Sequence, residues 1–136
     1  QVRVAASVAL VRIGDKESPA RAIEPLTALT RDANAWVRRY AVWALGSMGA
    51  GHGTIVAALN DAEPLVREFA AEALKGIAGK ADAKTLADAR AALLAISNDA
   101  SRLEHGKFSS APIVKDAMTA VDQAEKKAAA KSKEAR

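Results

Sequence analysis

Apolar residues along this chain recur at steps of three and four, the spacing that gathers them on one face of an α-helix. The clearest run is Val37, Ala41, Ala44, Leu45 and Met48, and a second is Val66, Ala70, Ala73, Leu74 and Ile77. A shorter apolar stretch precedes each. Ile23, Leu26 and Leu29 lie between Pro19 and Thr30, with Pro25 starting or bending that helix, and Ile55, Val56 and Leu59 lie in the segment from Thr54 to Leu59. Gly46, Gly49 and Gly79 fall where the longer helices should end. The pattern predicts pairs of helices joined by tight turns, the longer members at 34–49 and 63–78.

The two long helices are copies of one another, and a third copy opens the chain. Val2-Arg3-Val4-Ala5-Ala6-Ser7-Val8-Ala9-Leu10, Val37-Arg38-Arg39-Tyr40-Ala41-Val42-Trp43-Ala44-Leu45 and Val66-Arg67-Glu68-Phe69-Ala70-Ala71-Glu72-Ala73-Leu74 share Val-Arg-x-x-Ala-x-x-Ala-Leu. They start 35 and 29 residues apart, and the extra length falls in the turn-rich Gly14-Asp15-Lys16-Glu17-Ser18-Pro19. Asp32 and Asp61 each stand six residues before the arginine of the following copy. They are expected to cap the long helices and to pair with an arginine of the same or an adjacent repeat.

Both ends of the array are irregular. The first copy lacks its preceding helix and aspartate, so we expect the natural protein to extend N-terminally or another chain to cover this end. Self-association through that end would follow. At the other end, Ala83 to Ser97 reads as a helix carrying Leu86, Leu93, Leu94 and Ile96 but no Val-Arg signature. Residues 98–112 read as a polar loop interrupted by Gly106 and Pro112. Pro112 to about Lys133 reads as a last helix, with Ile113, Ala117, Ala120, Val121 and Ala124 on one side. The expected division is 1–81 as repeats, the first incomplete, 82–124 as a degenerate capping repeat, and 125–136 as a basic, Ala/Lys-rich tail that is solvated or frays.

The Asp…Val-Arg-x-x-Ala-x-x-Ala-Leu-Gly pattern resembles the short HEAT-like repeat first described in phycobilin lyases, over residues 1 to about 80. The resemblance implies an all-α fold: an α-solenoid, a right-handed superhelix of helical-hairpin repeats. It implies little about activity, because scaffolds, lyase subunits and a few enzymes share the repeat.

Composition agrees with close helix packing and narrows the chemistry. Half the residues are apolar, much of that half alanine, and aromatics make up only 4%. No cysteine is present, which excludes disulfides, thiolate catalysis and cysteine-ligated metals and suits a cytoplasmic setting. No apolar run approaches the ~20 residues that span a bilayer. The net charge is +4, of which residues 122–136 carry half, so no polyanion-binding stripe stands out on the body.

Candidate recognition residues are those that change from copy to copy while the core positions stay fixed. One row reads Val4, Arg39, Glu68 and the next Val8, Trp43, Glu72. Arg39 and Trp43 form the candidate anchor pair, since arginine and aromatics dominate binding surfaces. The competing structural role has Trp43 covering the next repeat and Arg39 bridging to Glu68 or Glu72. Glu68 and Glu72, four apart, read as part of a surface salt-bridge network rather than a cation site. Trp36 and Tyr40 align with Leu65 and Phe69 and read as packing residues. His52 and His105 read as solvated turn and loop residues.

A catalytic set is not evident. Deoxyhypusine hydroxylase, built of similar repeats, carries iron-binding His-Glu pairs after Val-Arg; here those positions are Val4-Ala5, Arg39-Tyr40 and Glu68-Phe69. We therefore expect a non-enzymatic module with no cofactor, binding a protein through the concave surface at Arg39, Trp43, Glu68 and Glu72. The lyase resemblance leaves an accessory role in a cofactor-attaching complex as an alternative. Weak nucleic-acid binding, as in HEAT-like DNA glycosylases, is a further one, opposed by Glu68 and Glu72 on the same rows.

Overall fold

The computed structural model describes residues 5, 6, 9, 19–105 and 108–135. Of the first Val-Arg copy only Ala5, Ala6 and Ala9 are included, all helical. Val4, Val8, the turn at 14–18 and the expected open N-terminal end lie outside the described residues.

Seven α-helices follow in chain order among the described residues from Pro19 on. They are α1 (Pro19–Leu29), α2 (Ala35–Ser47), α3 (His52–Ala58), α4 (Pro64–Ile77), α5 (Ala83–Ser97), α6 (Ala100–Leu103) and α7 (Ala111–Glu134). A 3-10 turn, Ala78–Lys80, extends α4. Two-residue strands, β1 (Glu104–His105) and β2 (Phe108–Ser109), pair antiparallel between α6 and α7.

Within the segment expected as a loop at 98–112, the described residues form one helical turn, a two-residue ladder and the start of α7. The Asp99 carboxylate accepts the backbone N–H of Ser101 at 3.0 Å and its hydroxyl at 2.6 Å, which starts α6. The Ser110 N–H returns to the Leu103 carbonyl at 2.7 Å. The described backbone of this largely exposed connection finds these partners locally.

The helices stack as pairs. α1 packs on α2, α3 on α4 and α5 on α7, while between pairs α2 packs on α4, α4 on α7 and α3 on α5. The architecture is an all-α solenoid in which α7, despite lacking Val-Arg, takes the place of a third long helix beside α4. The buried layer runs unbroken through the pairs, from Leu26 to Leu45, Leu59, Leu74, Leu93 and Val121. Each such leucine contributes about 1.5–3 kcal/mol by leaving water.

Two glycine sites shape the stack. Gly46 lies inside α2, not at its end, and a Cβ there would fall 2.6 Å from the Ala73 Cβ of α4. The two long helices meet this closely only because that position has no side chain. Gly49 and Gly51, both with φ near 64°, fold the chain back from α2 into α3, a conformation costly for other residues.

The aspartates serve turns and neighbouring repeats, not the helix caps expected of them. Asn34 is the N-cap of α2, its side chain accepting the Trp36 N–H, and Glu63 occupies that position in α4 with no side-chain cap bond. Asp32 and Asp61 sit two residues earlier and accept the N–H of Asn34 and Glu63 at 2.8 and 2.9 Å. This Asx turn rigidifies the hairpin and leaves the second carboxylate face exposed to an arginine. Arg38 reaches across to Asp61 of the next repeat with Nε and Nη2 at 2.8 and 2.9 Å. Its Nη1 donates to the carbonyls of Asp32 and Ala33.

Arg67 repeats the inner half of this device and departs from the outer half. Its Nη1 donates to the carbonyls of Asp61 and Ala62, but its Nη2 meets the Arg102 carbonyl at 3.0 Å, where a carboxylate would continue the series. The side chain is buried, its Nε makes no hydrogen bond, and desolvation, followed by the nearby charge of Arg102, lowers its pKa.

At the C-terminal end α7 runs as one helix through the Lys/Ala-rich segment to Glu134, with residues from Lys126 onward exposed. Arg90 of α5 grips its middle through Asp122 and Glu125. The hydrogen bonds it donates to Glu125 and then to Asp122 raise the guanidinium pKa and keep it charged.

Candidate functional site

The face of α2 turned away from α1 carries Trp36, Arg39, Tyr40 and Trp43, positions i, i+3, i+4 and i+7 of one helical face. The repeat puts Leu65, Glu68, Phe69 and Glu72 at the equivalent positions of α4, which packs alongside. Buried Val37, Ala41, Ala44 and Leu45 hold the opposite face in the core. The four predicted residues Arg39, Trp43, Glu68 and Glu72 thus share one surface, but their partners differ from those expected.

Arg39 bridges to neither Glu68 nor Glu72. Its guanidinium lies 3.8 Å from the centre of the Trp36 ring, 5.1 Å from Phe69 and 5.4 Å from Tyr40. The Arg39 Nε is buried without a hydrogen bond. Aromatic faces attract a guanidinium that has shed part of its water, and the carboxylates have other donors. Glu68 accepts the hydroxyl of buried Ser110 at 2.7 Å, tying the start of α7 to α4, and Glu72 pairs with Lys75 at 3.0 Å.

Of the two expected packing residues, Trp36 is 57% exposed and Tyr40 is half-buried; Leu65, aligned with Trp36, is 43% exposed. Phe69 is half-buried against the core. Trp43, 43% exposed, stands one turn beyond the Arg39 cluster and walls a groove of about 340 Å³ between α2 and α4. Phe69, Gly46, Ala73, Gly76, Glu68 and Glu72 line it as well. Ile113 of α7 closes one end. Trp43 therefore lines an open groove and does not simply cover the next repeat.

Sequence reasoning missed Trp36, Phe69 and Ile113. A signal existed for the first: Trp36 precedes Arg39 by three and Trp43 by seven, the same helical face. No such signal existed for Ile113, which reaches the groove only through the docking of α7.

Elsewhere, His52 is the first residue of α3, not a solvated turn residue, and its Nε2 lies 3.0 Å from the Gly49 carbonyl oxygen. Among the described residues no group of three or more His, Asp or Glu side chains is placed to hold a metal ion. No described helix is long and apolar enough to cross a membrane.

Two family models match the chain. Residues 2–32 match the PBS lyase HEAT-like repeat, and residues 23–104 match HEAT repeats. No curated protein matches it. The second match covers more than half of the chain and spans α2 and α4, whose Val-Arg interiors, reciprocal arginine–turn bonds and side-by-side packing are those of successive repeats, and the chain belongs to the HEAT repeat family.

Proposed function

We propose that this chain is a non-catalytic scaffold or adaptor that binds a protein partner through the concave face of its long helices. The observation that carries this reading is the strip Trp36, Arg39, Tyr40 and Trp43 beside Leu65, Glu68, Phe69 and Glu72. Large apolar side chains remain exposed there although the same helices bury every core position. Aromatics and arginine at the centre of a surface, with carboxylates around them, are the composition of binding hot spots. HEAT repeats supply a rigid frame for such a strip, since the core positions and the displayed positions vary independently.

The test compares the chain with an Arg39→Glu, Trp43→Ala double variant of equal helicity in affinity capture from the source organism's lysate. A partner retained by the first and lost by the second supports the reading. Equal capture by both overturns the assignment to this face.

The match of residues 2–32 to the PBS lyase HEAT-like repeat favours a second reading, an accessory subunit in attaching a bilin to a protein. Mixing the chain with free bilins and recording visible absorbance decides it: a shifted and intensified band supports this role, and unchanged spectra with several bilins eliminate it.

A further inference from the structure

The groove beside Trp43 has a relation to the Arg39 cluster that the repeat geometry makes explicit. Seven residues separate Trp36 from Trp43, and seven separate Arg39 from Gly46, so Gly46 stands to Trp43 as Arg39 stands to Trp36. In the first pair the chain lays its own guanidinium on the indole, 3.8 Å from the ring centre. In the second it places a glycine, and the groove opens there between Trp43 and Phe69. Phe69 faces the Arg39 guanidinium at 5.1 Å and also walls the groove.

We propose that this groove receives a lysine or arginine side chain from a basic segment of a protein partner. The inference rests on the scaffold reading and names the chemistry of its partner. Three features of the groove match that side chain. The small residues Gly46, Ala73 and Gly76 in its lining leave room for a long aliphatic stem, the part of lysine and arginine that prefers apolar surroundings. Its aromatic walls attract a cation, most strongly at an indole. Its lining also carries Glu68 and Glu72, one helical turn apart, whose charges complement the head of that side chain. An apolar side chain would gain nothing from these carboxylates; an acidic one would meet them at close range. Lys75, already paired with Glu72, sets the competition that an incoming cation must win.

The experiment uses the whole chain carrying Trp36→Phe, which keeps a ring under Arg39 and leaves Trp43 as the sole indole. Its fluorescence is followed while an alanine–lysine peptide is added, and matched peptides with glutamate or leucine in place of lysine serve as controls. The lysine peptide should perturb Trp43 emission saturably and bind about tenfold more tightly than either control. Added salt should weaken it. Glu72→Gln should cost about tenfold in affinity, and Trp43→Ala, followed with a labelled peptide, about the same. Both positions are exposed, so circular dichroism should show unchanged helicity.

Equal or tighter binding of the leucine or glutamate peptide overturns the proposal, as does full affinity in both Glu72→Gln and Trp43→Ala. A self-associated form in sedimentation that the lysine peptide fails to dissociate also overturns it, since a second copy would then fill the groove. If the lysine peptide fails while lysate capture still depends on Arg39 and Trp43, the basic-segment inference falls and the scaffold reading stands. If the peptide binds as stated while capture ignores those residues, the scaffold reading falls instead.

Discussion

At the scale of single residues, this protein separates positions that hold the fold from positions that face solvent with little ambiguity. Leu45 is fully buried and touches the turn at Gly51, where a Cβ would come within 3.1 Å of it. Leu45→Ala is expected to lower unfolding stability by about 2–5 kcal/mol, combining lost transfer energy with a cavity that a glycine-bounded turn cannot fill. Chemical denaturation of the two proteins checks it, and a loss well under 1 kcal/mol would show that the site collapses freely. Asp82 offers a pH test. It is the N-cap of α5, and a hydrogen bond from the Thr85 N–H, with a second from its hydroxyl, holds the carboxyl below the ordinary range. Its contribution is therefore complete above the unfolded value of about 3.9 and is lost as pH falls through the lower folded value. Asp82→Asn should keep most of the neutral-pH stability, because asparagine also caps, and should flatten the melting-temperature decline below pH about 4. A variant whose acid dependence matches the parent would contradict this.

At the scale of helices and hairpins, contacts between repeats are made by arginines, aspartates and a missing side chain. Gly46→Ala puts a methyl group into Ala73 and forces α2 and α4 apart, which we expect to cost about 1–3 kcal/mol. The double change Gly46→Ala, Ala73→Gly should recover part of that loss, and denaturation of all four proteins measures how much. Asp61 joins an Asx turn to Arg38 of the preceding repeat, with side chains only 15% and 12% exposed. Asp61→Asn retains an acceptor for the turn and loses the paired charge, so it should destabilise by about 1–3 kcal/mol. In a double-mutant cycle with Arg38→Met the effects should be strongly non-additive; additive effects would mean that the pair contributes nothing.

At the scale of the whole molecule, stacking makes stability a sum over neighbouring pairs. Among the described helices α4 makes the most extensive contacts, chiefly with α2, α3 and α7. Its amides should be the slowest to exchange with deuterium, while those of residues 126–134, exposed on every side, should exchange within the dead time of the measurement. Exchange detected by mass spectrometry checks both ends of this gradient. Uniform protection would describe one cooperative globule, not a solenoid.

The sequence by itself determined the helical pairs and their repetition, because apolar steps of three and four gather on one helix face and the same spacing returns copy after copy. It also placed Arg39, Trp43, Glu68 and Glu72 on one face, since helical periodicity alone decides which side chains share a side. What those side chains touch was settled only by the tertiary structure. Arg39 had three aromatic rings and two carboxylates within reach, and its guanidinium lies closest to Trp36, while Ser110 and Lys75 engage the glutamates. The arrival of Ile113 beside Trp43 likewise depends on α7 docking against α4. Contacts between elements distant in sequence follow from how whole helices settle together, and periodicity along one helix carries no trace of them.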